Sequence, residues 1–140
     1  MDVYSSEIIS FTMSDGSTLD IVMTPLQALI NQKPKINYRS TIHSDQGWHY
    51  QHDKYVKCLK DNNIFQSMSR KGNCLDNAVI ENFFGTIKSE MFYTRKFGSI
   101  QELKKEIVKY IHYYNNDRIR LNLKGKSPVQ YRTLSFENIV

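Results

Sequence analysis

The stretch Arg39-Ser40-Thr41-Ile42-His43-Ser44-Asp45-Gln46-Gly47 decides the fold. Arg39 to His43 reads as a short strand, and a carboxylate follows it at once. In an α/β sheet, the carboxyl end of a strand opens onto the crevice where ligands bind. Working outward, Asp53 to Lys60 has the spacing of a helix with Tyr55, Val56 and Leu59 turned inward, and Ile64 to Met68 suits a second short strand. Upstream, Val3 to Phe11 reads as a strand closed by the Asp15-Gly16 turn signal. Ser17 to Asn31 then reads as a helix, with Ser17 and Asp20 at capping-box spacing and Pro25 as a potential kink. Strands alternating with helices indicate an α/β domain with a layered sheet, although one short of strands.

Two stronger helices follow. In Asp76 to Met91, Ile80, Phe83, Phe84, Ile87 and Met91 form one apolar face, while Asn77, Glu81, Gly85 and Lys88 line another. Ser99 and Glu102 form a capping box for a helix to about Asn115, with Ile100, Leu103, Ile107, Tyr110, Ile111 and Tyr114 inward.

The 140 residues suffice for one real core, and 40% hydrophobic with 24% charged residues is an ordinary globular composition. The formal charge of +5 is unevenly spread: residues 1–87 carry eight basic and nine acidic side chains, residues 88–132 eleven and four. The basic surface therefore belongs to the C-terminal third, a bias towards polyanionic partners. Cys58 and Cys74 form no C-x-x-C pair, so a reduced cytoplasmic setting is the default. No apolar run is long enough to span a membrane. There is no repeat and no linker; the break at Phe97-Gly98-Ser99 is the nearest thing to a boundary, separating residues 1–96 from a helix and basic tail over 97–140.

Asp45 and Glu81 are the candidate metal-binding carboxylates. Hard divalent ions take oxygen ligands, and phosphoryl-transfer sites commonly hold two ions roughly 3.5–4 Å apart between carboxylates. Taken singly, Asp45 is a turn residue after a strand and Glu81 a solvated helix residue. Arg70 and Lys71 in the Ser69 to Asn73 loop, Lys88 two turns beyond Glu81, and the run Arg118, Arg120, Lys124, Lys126 are candidate phosphate contacts, with plain solvated surface as the alternative for each. His43, His49, His52 and Cys58 match no zinc spacing, and Trp48 is expected in the core.

Four longer motifs carry a resemblance: His43 to Gln51, Gln66 to Phe84 with its Ser69-Arg70-Lys71-Gly72-Asn73-Cys74-Leu75-Asp76-Asn77 centre, His112 to Arg118, and Lys126 to Arg132. Together they resemble the integrase-type core of bacterial insertion-sequence transposases, the IS-three family with its IS-one-fifty subgroup, over nearly the whole chain. The resemblance implies an RNase H-like fold and a DDE recombinase, in which three acids hold two Mg²⁺ (or Mn²⁺) ions. One ion activates water or a 3′-hydroxyl and the other stabilises the leaving oxygen, without a covalent protein intermediate. Asp45 matches the second acid and Glu81 the third. DNA is the implied partner, together with further copies or a full-length transposase, in a bacterial cytoplasm.

The departure lies at the front. The first acid of such cores sits in a Trp-x-x-Asp-type strand upstream of the segment that Met1 to Phe11 matches, and Asp2 matches a later position. The expectation is an N-terminally truncated core lacking its first strand and inactive alone. The alternative from a different class is a non-catalytic DNA-binding or oligomerisation module that modulates an intact transposase.

Overall fold

The computed structural model describes residues 1–33, 39–70 and 77–137, with side chains at 136 and 137 excepted. The chain divides into two compact units. One combines Met1–Ile9 with Val79–Val140, and the other is Ser10–Ala78. The break at residue 97 falls inside the first of these.

The middle unit carries the sheet. Helix α1 (Asp20–Gln32) leads to strand β1 (Ser40–Ser44), the single turn α2 (Trp48–Gln51), helix α3 (Asp53–Asp61) and strand β2 (Ile64–Met68). β1 and β2 are parallel, with Ser40 opposite Ile64 and Ser44 opposite Met68. The right connection for parallel neighbours is a helical crossover, and α2 with α3 supply it. Val22 and Leu26 of α1, Tyr55 and Leu59 of α3 and Ile64 of β2 form this unit's buried core. Burial pushes the Tyr55 hydroxyl up to about 12, with smaller contributions from Tyr50 and Cys58.

The helix expected from Ser17 begins at Asp20, and Leu19 occupies the cap position without a side-chain bond. Ser17 instead shares a hydrogen bond with His49 Nε2 at 3.0 Å, so the Ser17–Asp20 capping box is not formed. Pro25 lies within a continuous α1, and its carbonyl accepts from Ser10 Oγ.

In the other unit, α4 (Ala78–Ile87) runs into a π-helical turn (Lys88–Phe92), followed by α5 (Ile100–Asn116), a 3-10 turn (Leu121–Leu123) and α6 (Pro128–Glu137). Ile8, Phe83, Met91, Tyr110, Ile111 and Tyr114 make its core, with Phe83 edge-on to Tyr114 at 5.0 Å between ring centres. Phe84 and Ile100, expected inward, are exposed.

The capping box expected at Ser99 does form. Ser99 Oγ accepts from Glu102 N while Glu102 Oε2 accepts from Gly98 N. Ser127 and Gln130 form a second reciprocal pair at the start of α6, with Pro128 in the first helical position.

The strand expected over Val3 to Phe11 is not there. Residues 3–5 form a turn whose Ser5 N–H and Oγ–H both donate to Asp2 Oδ2, and Ser6 takes the left-handed conformation at φ 60°. Alternating apolar residues alone do not make a strand, because every ladder needs a backbone partner. Here Ile8 finds a side chain instead: Asn115 Oδ1 accepts from Ile8 N–H and Asn115 Nδ2 donates to Ile8 C=O, both at 2.9 Å.

Candidate functional site

Asp45 follows β1 directly, and its surroundings explain the motif residues around it. Its Oδ1 accepts from Gly47 N–H at 2.8 Å, closing a turn that aims the carboxylate outward. A methyl group at Gly47 would lie 2.9 Å from Asp45 Oδ1, so a side chain there would push the carboxylate from this position. Oδ2 accepts no hydrogen bond among the described residues.

The turn is fastened to the end of β2. Ser69 N–H donates to Ser44 O at 2.8 Å, extending the ladder by one residue, and Gln46 Nε2 donates to Ser69 O. Asn77 Nδ2 reaches Ser69 Oγ at 3.3 Å. Gln51 Nε2 donates to Gln46 O and Gln66 Nε2 to Tyr50 O. Four amide side chains and a buried serine thus hold a short exposed turn, and the carboxylate is its projecting group. The amides were legible only as motif letters, because nothing in hydrophobic period marks a positioning Gln or Asn.

Trp48 adjoins Asp45 and is 54% exposed, not in the core. Its ring stacks on His49 at 3.9 Å between centres.

Glu81 stands in the first turn of α4, exposed, where the helix dipole favours a negative charge. It makes no hydrogen bond or ion pair among the described residues. Lys88 opens the π-helical turn and is exposed. Asp45 belongs to the middle unit and Glu81 to the other, so each is positioned by its own surroundings. Arg70 is exposed just beyond Ser69, and Lys71 lies outside the described residues. Among the described residues, no three His, Cys, Asp or Glu side chains cluster as a metal site, and no helix is long and apolar enough to cross a membrane. As single donors, an outward carboxylate with an open oxygen and an unengaged glutamate fit a hard divalent cation.

The basic run divides by role. Arg118 Nε donates to both oxygens of Glu90, at 3.1 and 2.8 Å, and Tyr110 Oη donates to the same carboxylate at 2.7 Å. Arg120 Nη1 donates to Tyr114 Oη at 2.7 Å. Arg132 pairs with Glu7. Lys124 is exposed and Lys126 half-buried. Arg118 and Arg120 are therefore occupied within the fold, which a charge count cannot reveal.

Arg118's hydrogen bonds are the main cause that holds the Glu90 carboxyl below its ordinary value of 4.5; burial opposes this, and Tyr110 and the Arg118 charge reinforce it. A depressed folded value stabilises the fold fully above the unfolded value, and the contribution is lost as pH falls through the folded one. Urea unfolding of the wild type and Glu90→Gln should therefore differ at neutral pH and converge below 4.5; a gap independent of pH refutes this assignment.

Two models of the Integrase core domain family match the chain, one over residues 1–74 and the other over residues 81–136. Among curated proteins it is similar to InsK of insertion sequence element IS150 from Escherichia coli K12, a transposase by name, at 47% identity over 97% of this chain and 48% of the relative. It is 42% identical to an uncharacterized transposase-like protein of Haemophilus influenzae, over 96% of this chain and 61% of that protein. The transposase for insertion sequence element IS904 of Lactococcus lactis is 36% identical over 94% of this chain and 52% of its own length. The chain thus spans about half the length of the curated relatives it matches.

Proposed function

The chain belongs to the integrase core domain family, in its bacterial insertion-sequence transposase branch, and on that premise we propose that it carries two of the three acids of a DDE transposase site, Asp45 and Glu81. The family implies an RNase H-like α/β fold, in keeping with the mixed helices and parallel strands. The observation that carries the reading is the Asp45 turn: a carboxylate with an open oxygen, displayed at a strand's carboxyl end and clamped by Gln46 and Ser69.

The reaction class is transposition of DNA by phosphodiester cleavage and strand transfer, in the bacterial cytoplasm. Divalent ions, Mg²⁺ or Mn²⁺, supply charge neutralisation at the transferring phosphate and a more acidic nucleophile. The chain's own contribution is to hold Asp45 outward through the Gly47 turn, to present Glu81 at a helix start, and to offer cations to the DNA backbone. Arg70, Lys71, Lys88, Lys124 and Lys126 are proposed for that last role, with Arg118 and Arg120 bracing the segment from which Lys124 and Lys126 project. Two acids hold a metal pair less well than three, so the 140 residues alone are proposed to be inactive in strand transfer. Association with further copies or a full-length transposase belongs to the same proposal.

The test joins the upstream part of a relative such as InsK, which precedes the matched region, to this chain. Labelled element-end DNA and Mg²⁺ should yield strand joining with the chimera and none with the 140-residue chain. Efficient joining by the 140 residues alone would refute the inactivity, and an inert but folded chimera would refute the catalytic reading.

A further inference from the structure

The segment 118–126 inverts the usual arrangement of a basic run. Arg118 and Arg120 turn inward, onto Glu90 and Tyr114, while the alternate residues Ile119 and Leu121 stand out at 67% and 94% exposure. Leu121 is the most exposed large hydrophobic residue described. The segment is also tightly held. Arg120 and Lys126 form an antiparallel bridge, with Arg120 N donating to Lys126 O at 3.1 Å and Gly125 N to Arg120 O at 3.0 Å. Lys124 takes the left-handed conformation at φ 56°, and Gly125 follows at φ 72°. Leu123, two residues from the tip, is buried. An aliphatic side chain is thus presented on a rigid support.

We propose that Leu121, with Ile119 beside it, is a wedge that enters between base pairs of duplex DNA while Lys124 and Lys126 rest on the flanking phosphates. The proposal rests on the DNA-acting reading above and adds to it a residue and a mode of contact. Charge selects the occupant: Lys124 and Lys126 make no ion pair among the described residues, and no acidic side chain lies within residues 118–132 beside them. Area points the same way. Two aliphatic side chains fall far short of the roughly 800 Å² per partner of a stable protein interface, but one suffices to part a base step when cations flank it. A pre-ordered tip spares the ordering cost that a flexible loop incurs on binding.

The experiment uses the full 140-residue chain and a short duplex with the fluorescent base analogue aminopurine at a TA step, the kind most easily unstacked. Wild type should raise the fluorescence on binding. Leu121→Ser should return it to the level of free duplex, Leu121→Met should retain it, and the slope of log affinity against log salt should be the same in all three. Lys124→Ala should lower that slope by about one. Leu121 touches little, so the variants should melt together with wild type. Binding without any rise in fluorescence overturns the wedge and leaves the transposase reading standing. Absence of DNA binding overturns both. Self-association abolished by Leu121→Ser overturns the wedge in favour of a protein occupant.

Discussion

Asp45→Asn in the chimera with an upstream transposase segment is expected to slow strand transfer about 10³-fold while leaving the melting temperature unchanged. The two halves of this expectation come from different atoms. The amide oxygen of Asn accepts the Gly47 N–H as Asp45 Oδ1 does, so the turn, its Gln46–Ser69 clamp and the strand ladder survive. What disappears is the negative charge on the outward oxygen, the property a divalent ion requires of a ligand. Charge stabilisation by metal ions in phosphoryl transfer is worth several kcal/mol, and each 1.36 kcal/mol is tenfold in rate. Glu81→Gln should act alike, since Glu81 has no partner to lose among the described residues. Single-turnover joining assays and thermal melts on the same preparations check both halves; joining within tenfold of wild type in Asp45→Asn removes Asp45 from the site.

Asn115→Ala should destabilise the fold by about 3 kcal/mol, the larger of the effects expected on stability. Asn115 is the sole described partner of both Ile8 backbone groups, and Ile8 is buried in the core with Phe83 and Tyr114. Leaving a buried N–H and a buried C=O unpaired costs about 1–3 kcal/mol each. Asn115→Asp should lose a comparable amount at neutral pH, because it keeps an acceptor for Ile8 N–H but sets a carboxylate oxygen against Ile8 C=O. It should recover in acid, where the protonated carboxyl can donate. Urea unfolding gives the energies, and hydrogen exchange at the Ile8 amide locates them; a loss below about 0.5 kcal/mol in Asn115→Ala rules out the bracket.

The elements that were legible in the sequence are those whose signals are local. β1, β2 and α3 follow from short-range pattern, and the Ser99–Glu102 box marks the start of α5 to the residue. The segment Glu7-Ile8-Ile9-Ser10-Phe11 looks like a strand by the same logic, yet its partner is a side chain 107 residues away. The π-helical turn was hidden for a related reason: Ile87 and Met91 are in phase for an ordinary helix. That turn contains Glu90, which meets Arg118 28 residues further on. Asp45 and Glu81 are proposed as site residues because long motifs surround them. The inward turn of Arg118 and Arg120 was not legible, since composition counts charges without showing which carboxylates or tyrosines engage them.

The assembly of one unit from both ends of the chain bears on how the protein is made. Residues 10–78 hold both described strands and the core that Val22, Leu26, Tyr55, Leu59 and Ile64 form, so they can close as soon as they leave the ribosome. Residues 1–9 cannot finish at that point: at about 5–20 residues per second, roughly ten seconds of translation separate Ile8 from Asn115 and Glu7 from Arg132. During that interval residues 1–9 have their local contacts alone, the Asp2–Ser5 turn with the Asp2 N–H to Glu7 C=O and Glu7 N–H to Ser5 Oγ bonds. Residues 1–9 are therefore secured only after α5 and α6 have been made, and a ribosome stalled before α5 leaves them without their Asn115 and Arg132 contacts.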